Sequence, residues 1–254
     1  MGRTLAFLYG AVSYLIFFVT FLYAIGFVGN FIVPKSIDSG PQAATLTRAI
    51  IANVILMSIF ALQHSIMARP EFKERWTKFV PKPVERSTFV LLASLALILL
   101  FWQWRSMPWP VWHIDNEIGR FIMWAMFFAG WSIVLLGTFL INHFDLFGLR
   151  QVYLYQRGKD YTPLEFGTPI LYRIVRHPIM LGFIMAFWFT PDMSWGHMLF
   201  AAVTTVYIIV AIQFEERDLK NIHGQAYDNY RREVSMLLPI PKRAAEAGVK
   251  EAVP

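Results

Sequence analysis

Apolar residues run through this chain in blocks of the length a bilayer demands. Residues 5–32, 48–67, 88–104 and 119–141 are four such blocks, separated by segments rich in proline, charge or tryptophan. A helix needs about 20 apolar residues to span the hydrocarbon core. Two further apolar pieces follow, residues 179–190 and 196–214, split by the polar turn from Thr190 to Gly196. The first is short for a crossing, so a tight helical hairpin is expected. Residues 215–241 mix charge with Leu219, Tyr227, Tyr230 and Val234, and read as an amphipathic helix stopped by Pro239 and Pro241. Residues 242–254 read as a disordered polar tail. The pattern predicts an all-α, polytopic integral membrane protein with four spans plus a C-terminal hairpin. It forms a single domain, in which 1–142 carries the four spans and 143–241 the polar segments and hairpin.

The polar segments orient the spans. Six Lys/Arg lie in 68–87, five in 143–178 and seven from 215 onward, against one each in 34–47 and 105–118. Positive residues concentrate on the cytoplasmic side, which places both termini and both basic loops there and requires an even number of crossings. The first block lacks a small-residue cleavage site and is too long for a signal peptide, so it reads as a retained span. A short amphipathic helix is expected around 71–79, and Trp102, Trp104, Trp109 and Trp112 read as a headgroup belt.

Composition agrees. The chain of 254 residues is 56% hydrophobic and 16% charged, whereas soluble domains carry about a quarter charged residues. There is no cysteine, which excludes disulfides and thiolate metal sites. The net charge of +6 suits loops facing anionic lipid, and no nucleic-acid-binding module appears. No GxGxxG, Walker loop or HExxH occurs, and the histidines do not pair at metal-ligand spacing on one helix face, so no metal is expected.

Three places carry chemistry. Gln63-His64-Ser65 ends the second span, and a histidine there titrates near neutral pH. Asn142-His143-Phe144-Asp145 and Arg150-Gln151 crowd polar groups at the end of the fourth span; they either cap it or wall a site. The densest stretch runs from Tyr172 through Arg176-His177-Pro178 and Glu215-Glu216 to Tyr227, Tyr230 and Pro239. Charge beside a membrane segment is costly unless it serves something. These residues either form an ion-pair network that holds the C-terminal helix down or line a ligand.

The segment Arg176-His177-Pro178-x-x-x-Gly182, then a span, then Glu215-Glu216-x-x-Leu219, Gly224-x-x-Tyr227-x-x-Tyr230 and Pro239, resembles the isoprenylcysteine carboxyl methyltransferase superfamily over the last third of the chain. Gln63–Pro70 and His143–Gln151 extend the resemblance to a bacterial branch, the methanethiol S-methyltransferases, which are similar to NnrU-type membrane proteins. Met180 departs from the pattern, standing where the superfamily usually has tyrosine. The resemblance implies S-adenosylmethionine as methyl donor in a cytoplasmic pocket of a bacterial inner-membrane protein. It implies Arg176, His177, Pro178, Gly182, Glu215 and Glu216 as cofactor-binding residues, with Gln151, Tyr172, Tyr227 and Tyr230 beside them. A guanidinium suits the cofactor's carboxylate, and the glutamates suit its ammonium or ribose hydroxyls.

The implied acceptor is a small thiol, methanethiol, methylated to dimethyl sulfide. A thiol attacks as the thiolate, so a base or a positive field is needed. His64, His143 and Asp145 are the candidates for the base, with Asp145 alternatively orienting a histidine. Two other readings remain: a lipid-like or isoprenoid acceptor, and a non-enzymatic NnrU-like protein of nitrogen-oxide or haem physiology, in which His64, His143 and His177 become candidate haem ligands.

Overall fold

The computed structural model describes residues 2–164 and 167–240, so the tail expected at 242–254 lies outside the described residues. In chain order the elements are α1 (Arg3–Gly29), α2 (Leu46–Met67), α3 (Pro70–Trp76), α4 (Lys82–Gln103), β1 (Pro110–His113), α5 (Glu117–Leu140), α6 (His143–Leu146), α7 (Leu149–Gln156), α8 (Ile170–Ile174), α9 (Pro178–Trp188), β2 (Asp192–Ser194), α10 (Trp195–His223) and α11 (Gln225–Glu233). Five of them, α1, α2, α4, α5 and α10, are long and apolar enough to cross a membrane. The protein is a polytopic, helical membrane protein.

The first helix shows why the bundle needs lipid. Leu5, Leu8, Val12, Leu15, Val19 and Leu22 recur at helical spacing, and all are exposed. The opposite face buries small residues, Ala6, Gly10, Ser13 and Thr20. In a bilayer the outer face gains nothing by burial, so helices associate through close packing of small residues instead. A β-carbon on Gly10 would lie 2.5 Å from a Val152 methyl on α7, which is how α7 reaches α1.

The helix ends follow from local chemistry. Thr45, Asn116, Asn142 and Ser194 cap α2, α5, α6 and α10 by accepting backbone N–H bonds. Pro70 and Pro178 open α3 and α9, where a missing N–H costs nothing. Of the four tryptophans assigned to the headgroup belt, Trp102 and Trp109 are exposed, while Trp104 is fully buried. The Trp104 indole N–H donates to the Ile37 carbonyl at 3.0 Å, so this residue fixes a loop to the core.

The hairpin differs from expectation in an informative way. Helix α9 has 11 residues and rises only about 17 Å at 1.5 Å per residue. Together with the chain that follows it, it nonetheless runs the length of α5. Near one end a β-carbon on Gly137 would lie 2.7 Å from Ile179. At mid-length Gly130 and Gly182 approach so closely that a β-carbon on either would fall within 2.7 Å of the other's carbonyl oxygen. Beyond Trp188 the chain leaves the helix and covers the remaining distance in extended form. Asp192 meets Arg120 near the start of α5 at 2.9 Å, and β2 pairs antiparallel with β1. A second difference concerns 215–241. No breaker follows Phe214, so α10 continues to His223 and breaks at Gly224, whose φ of +53° favours glycine. Helix α11 then leads into extended chain, and Ser235 bridges back to Val175.

Candidate functional site

Two regions gather the polar residues singled out in the sequence. The first is a clamp where α9, α10, α11 and the extended chain after it meet. The Glu216 Oε1 accepts from Arg176 Nε at 2.7 Å and lies 2.6 Å from Arg176 Nη2 and 3.2 Å from His177 Nε2. Glu216 Oε2 lies 3.2 Å from Arg231 Nε. Arg176 Nη1 donates to the Val234 carbonyl at 2.6 Å and to the Arg231 carbonyl at 3.3 Å. The backbone repeats the tie, with Arg176 N–H donating to Ser235 O at 2.8 Å and His177 N–H to Met236 O at 3.2 Å. Arg176, His177 and Glu216 are buried. Burying these charges is tolerable because each is paired and hydrogen-bonded.

Around this clamp sit the tyrosines. Tyr230 O–H donates to the Tyr172 carbonyl at 2.5 Å, and Tyr172 O–H points to the Gly137 carbonyl at 3.5 Å. Burial pushes the Tyr172 and Tyr227 phenols up, and the Tyr230 phenol up to about 12. All three therefore stay neutral near pH 7. Glu215 is more exposed, with one ion-pair contact among the described residues, 3.5 Å to His177 Nδ1. A cleft of about 360 Å³ opens on the outer side of the clamp, lined by Arg176, Lys220, Asp228, Arg231 and Arg232. Pro178 starts α9. Gly182 faces Gly130 and Val134 of α5, so in this structure it serves helix packing.

The ion-pair network drawn from sequence is therefore present, and it has a consequence for Arg176. Its guanidinium is spent on Glu216 and two carbonyls, so it is not offered to a ligand carboxylate in this arrangement. Glu215 and the basic rim of the cleft carry the accessible charge.

The second region lies where the ends of α2 and α5 meet α4, α6 and α7. His143, expected as a base candidate, is buried with both ring nitrogens engaged. Thr138 donates its hydroxyl proton to Leu135 O at 2.7 Å and so accepts from His143 Nδ1 at 2.8 Å. That assigns the Nε2 lone pair to the Tyr14 hydroxyl, at 2.8 Å. The ring stacks on Phe139 at 4.3 Å, and burial lowers its pKa. A lone tyrosine within an apolar run gives no sign of its partner, which lies 129 residues away.

Asp145 accepts from Arg150 Nη1 at 2.9 Å and from Tyr161 O–H at 3.2 Å. Gln151 Nε2 donates to the Asp145 carbonyl at 3.0 Å, which sets Gln151 beside α6 and away from the clamp. A cavity of about 450 Å³ borders this region, lined by 139–144 together with Leu164, Gly167 and Pro169.

His64 sits deeper. Its ring stacks on Phe60 at 5.4 Å and tilts against Phe89 at 4.9 Å. Its helix is tied to α10 by Ser65 to Tyr207 at 3.2 Å, and Arg69 just beyond it pairs with Asp218 at 2.9 Å. His64 Nδ1 is buried without a hydrogen-bond partner among the described residues, and so are Gln63 Oε1, Trp76 Nε1 and Gln151 Oε1. Sequence reasoning missed Arg86. It was counted among the basic loop residues, but it lies one turn inside α4 with its guanidinium 4.9 Å from the Phe89 ring centre.

Fold and site together define a multi-pass helical membrane protein with a charged clamp and an aromatic-walled polar chamber at one end of its bundle. The NnrU protein family model matches residues 53–190. The chain is 58% identical to a methanethiol S-methyltransferase from Mycobacterium tuberculosis, over 96% of this chain and 99% of that one. It is 55% identical to one from Crocosphaera subtropica, over 94% and 93%. It is also 26% identical to nurim from Rattus norvegicus, over 73% and 75%. No solved structure matches. The chain belongs to the NnrU family and, within it, to the family of the methanethiol S-methyltransferases.

Proposed function

We propose that this protein is an integral membrane methyltransferase that moves a methyl group from S-adenosylmethionine to methanethiol, giving dimethyl sulfide and S-adenosylhomocysteine. The observation that carries the reading is the identity of 58% over nearly the full length of a relative named for that activity. It favours the small thiol over a lipid-like acceptor and over a non-enzymatic NnrU-like role. The proposed site is the cytoplasmic end of the bundle in a bacterial inner membrane, with both termini on that side. The extended chain after Trp188, which carries the hairpin to the far end of α5, supports the even number of crossings this requires.

The residues present fit such a donor. Glu215 is partly open and suits an ammonium or a ribose hydroxyl. Lys220, Arg231 and Arg232 rim the cleft and suit a carboxylate. Tyr172, Tyr227 and Tyr230 offer flat faces. Arg176, His177, Pro178, Gly182 and Glu216 then act as the frame of the cofactor site, while Gln151, held beside α6, lies apart from it. The bound cofactor supplies a methyl group activated on a sulfonium. The chain's own residues position the thiol, exclude water and receive its proton.

Among the three base candidates the geometry favours His64. Both nitrogens of His143 are occupied, so it holds Tyr14 and Thr138 together. Asp145 is occupied by Arg150 and Tyr161 and orients the α6–α7 turn. His64 has a buried nitrogen with no hydrogen-bond partner among the described residues, as a group awaiting a ligand would.

Membranes containing the protein, supplied with S-adenosylmethionine and methanethiol, are the test, with headspace gas chromatography as readout. Dimethyl sulfide formed only with both is expected. Its absence from membranes that still bind the cofactor would discard the acceptor.

A further inference from the structure

Buried polar atoms without partners are rare in folded proteins, and each calls for an explanation. Among the described residues, four of them border one patch. Gln63 Oε1 and His64 Nδ1 come from the last turns of α2, Trp76 Nε1 from α3 and Gln151 Oε1 from α7. The walls between them are Met67, Phe89 and Phe147. Arg86 enters the same patch. Its guanidinium and the His64 ring each lie 4.9 Å from the centre of the Phe89 ring. Arg86 Nε donates to the Leu146 carbonyl at 2.7 Å, and Gln151 Nε2 to the neighbouring Asp145 carbonyl at 3.0 Å. Arg86 and Gln151 are thus set side by side on one turn of backbone.

What Arg86 lacks is an anion. Among the described residues no carboxylate lies within ion-pairing distance of it, and Asp145, which senses its charge, is taken by Arg150 and Tyr161. Arg86 is partly buried among these side chains, and a paired anion normally offsets the desolvation cost of a buried guanidinium. Here the aromatic face of Phe89 and one carbonyl offset only part of it. The remaining N–H groups are donors held in a fixed fork.

We propose that Arg86 is the subsite for the acceptor's sulfur, holding the small thiol as its thiolate against the walls of Phe89, Met67 and Phe147, with His64 and Gln63 beside it. This rests on the methyltransferase reading and adds the group that generates the nucleophile. An alkanethiol is mostly protonated at neutral pH, and a neighbouring cation raises the thiolate fraction. The thiol gives its proton to His64 or to solvent. The sulfur's electron pair then forms the new bond to the methyl carbon as the donor's sulfonium–carbon bond breaks. The leaving sulfur keeps that pair and departs as a neutral thioether. The ionisable groups that sense Arg86 are Glu85, Asp145, Tyr161, Lys73 and His64, and their titration forms the background of any pH profile.

The test uses full-length protein in detergent, saturated with S-adenosylhomocysteine, and thiocyanate as a small sulfur anion that cannot be methylated to dimethyl sulfide. Calorimetry on the wild-type complex is expected to show thiocyanate binding that methanethiol competes away. In Arg86→Gln that binding weakens about tenfold or more, the scale of a lost charged hydrogen bond, while S-adenosylhomocysteine affinity stays at wild type. The methanethiol KM rises in parallel, and the rising limb of kcat against pH moves upward. Arg86→Lys keeps the charge and is expected to recover most of the anion binding. Lost S-adenosylhomocysteine affinity with unchanged methanethiol KM would overturn the proposal and put Arg86 on the cofactor. Thiocyanate binding equal in wild type and Arg86→Gln, or absent from the wild type, would overturn it as well. Because anion binding is read without turnover, it can fail while wild-type dimethyl sulfide formation stands, and the converse holds too.

Discussion

The clamp and the chamber are built from similar residues and treated in opposite ways. Both set an arginine and a histidine near helix ends. In the clamp, Arg176 meets Glu216 and two carbonyls, and Glu216 also meets His177 and Arg231. In the chamber, Arg86 meets one carbonyl and a ring, and His64 Nδ1 meets nothing among the described residues. A satisfied network rigidifies a structure, and an unsatisfied one is a cost unless something binds. On the proposed reading, the clamp holds a site together and the chamber holds the reacting partner.

The comparison breaks first at His64. His64→Ala removes no hydrogen bond seen among the described residues but deletes the ring contacts with Phe60 and Phe89, so a moderate fall in thermal stability in detergent is expected. Turnover should drop about 10²- to 10⁴-fold, the usual contribution of a positioned proton acceptor. Wild-type rates across the neutral pH range would remove His64 from the mechanism.

Glu216→Ala is the reciprocal experiment. It strands the buried Arg176 without its carboxylate, at a cost of about 3–5 kcal/mol. A large drop in the unfolding midpoint is expected together with loss of S-adenosylhomocysteine binding. Unchanged stability would mean that the clamp is not a clamp.

His143→Phe keeps the ring stack and deletes both hydrogen bonds, leaving the Tyr14 and Thr138 hydroxyls short of a partner for about 1–3 kcal/mol. The sign of its pH dependence follows from burial, which lowers the His143 pKa below the ordinary 6.5. The unfolded chain then binds more protons than the folded one as pH falls through 6.5, so stability declines on acidification below that point. Unfolding midpoints measured over this range should lose part of their acid sensitivity in His143→Phe.

The smallest effect belongs to Glu215. It is half-exposed with one distant contact, so Glu215→Gln should change stability by less than about 1 kcal/mol. It should nevertheless weaken cofactor binding, since its charge is the accessible one.

Most of the fold could be read from the apolar blocks, because bilayer thickness sets helix length directly. The course of the 178–192 segment along α5 could not. Its helix is too short, and the pairing of β2 with β1 that marks its far end joins segments some eighty residues apart. The continuity of α10 past Phe214 was hidden because charge was taken as a boundary, whereas the helix ends only where Gly224 changes the backbone. The clamp was legible because its residues sit in two short motifs. The chamber was not: Arg86 looks like any loop cation, and its significance lies in the carboxylate it fails to meet. The motif implies Gly182 as a cofactor residue, and its close approach to Gly130 of α5 is a packing role that the motif does not reveal.

The most direct measurement is a side-by-side one on Glu216→Ala and His64→Ala, reading S-adenosylhomocysteine affinity by calorimetry and methanethiol turnover by headspace chromatography. The division of labour argued here predicts that Glu216→Ala loses cofactor affinity, while His64→Ala keeps it and loses turnover. Loss of cofactor affinity in both, or in His64→Ala alone, would contradict it.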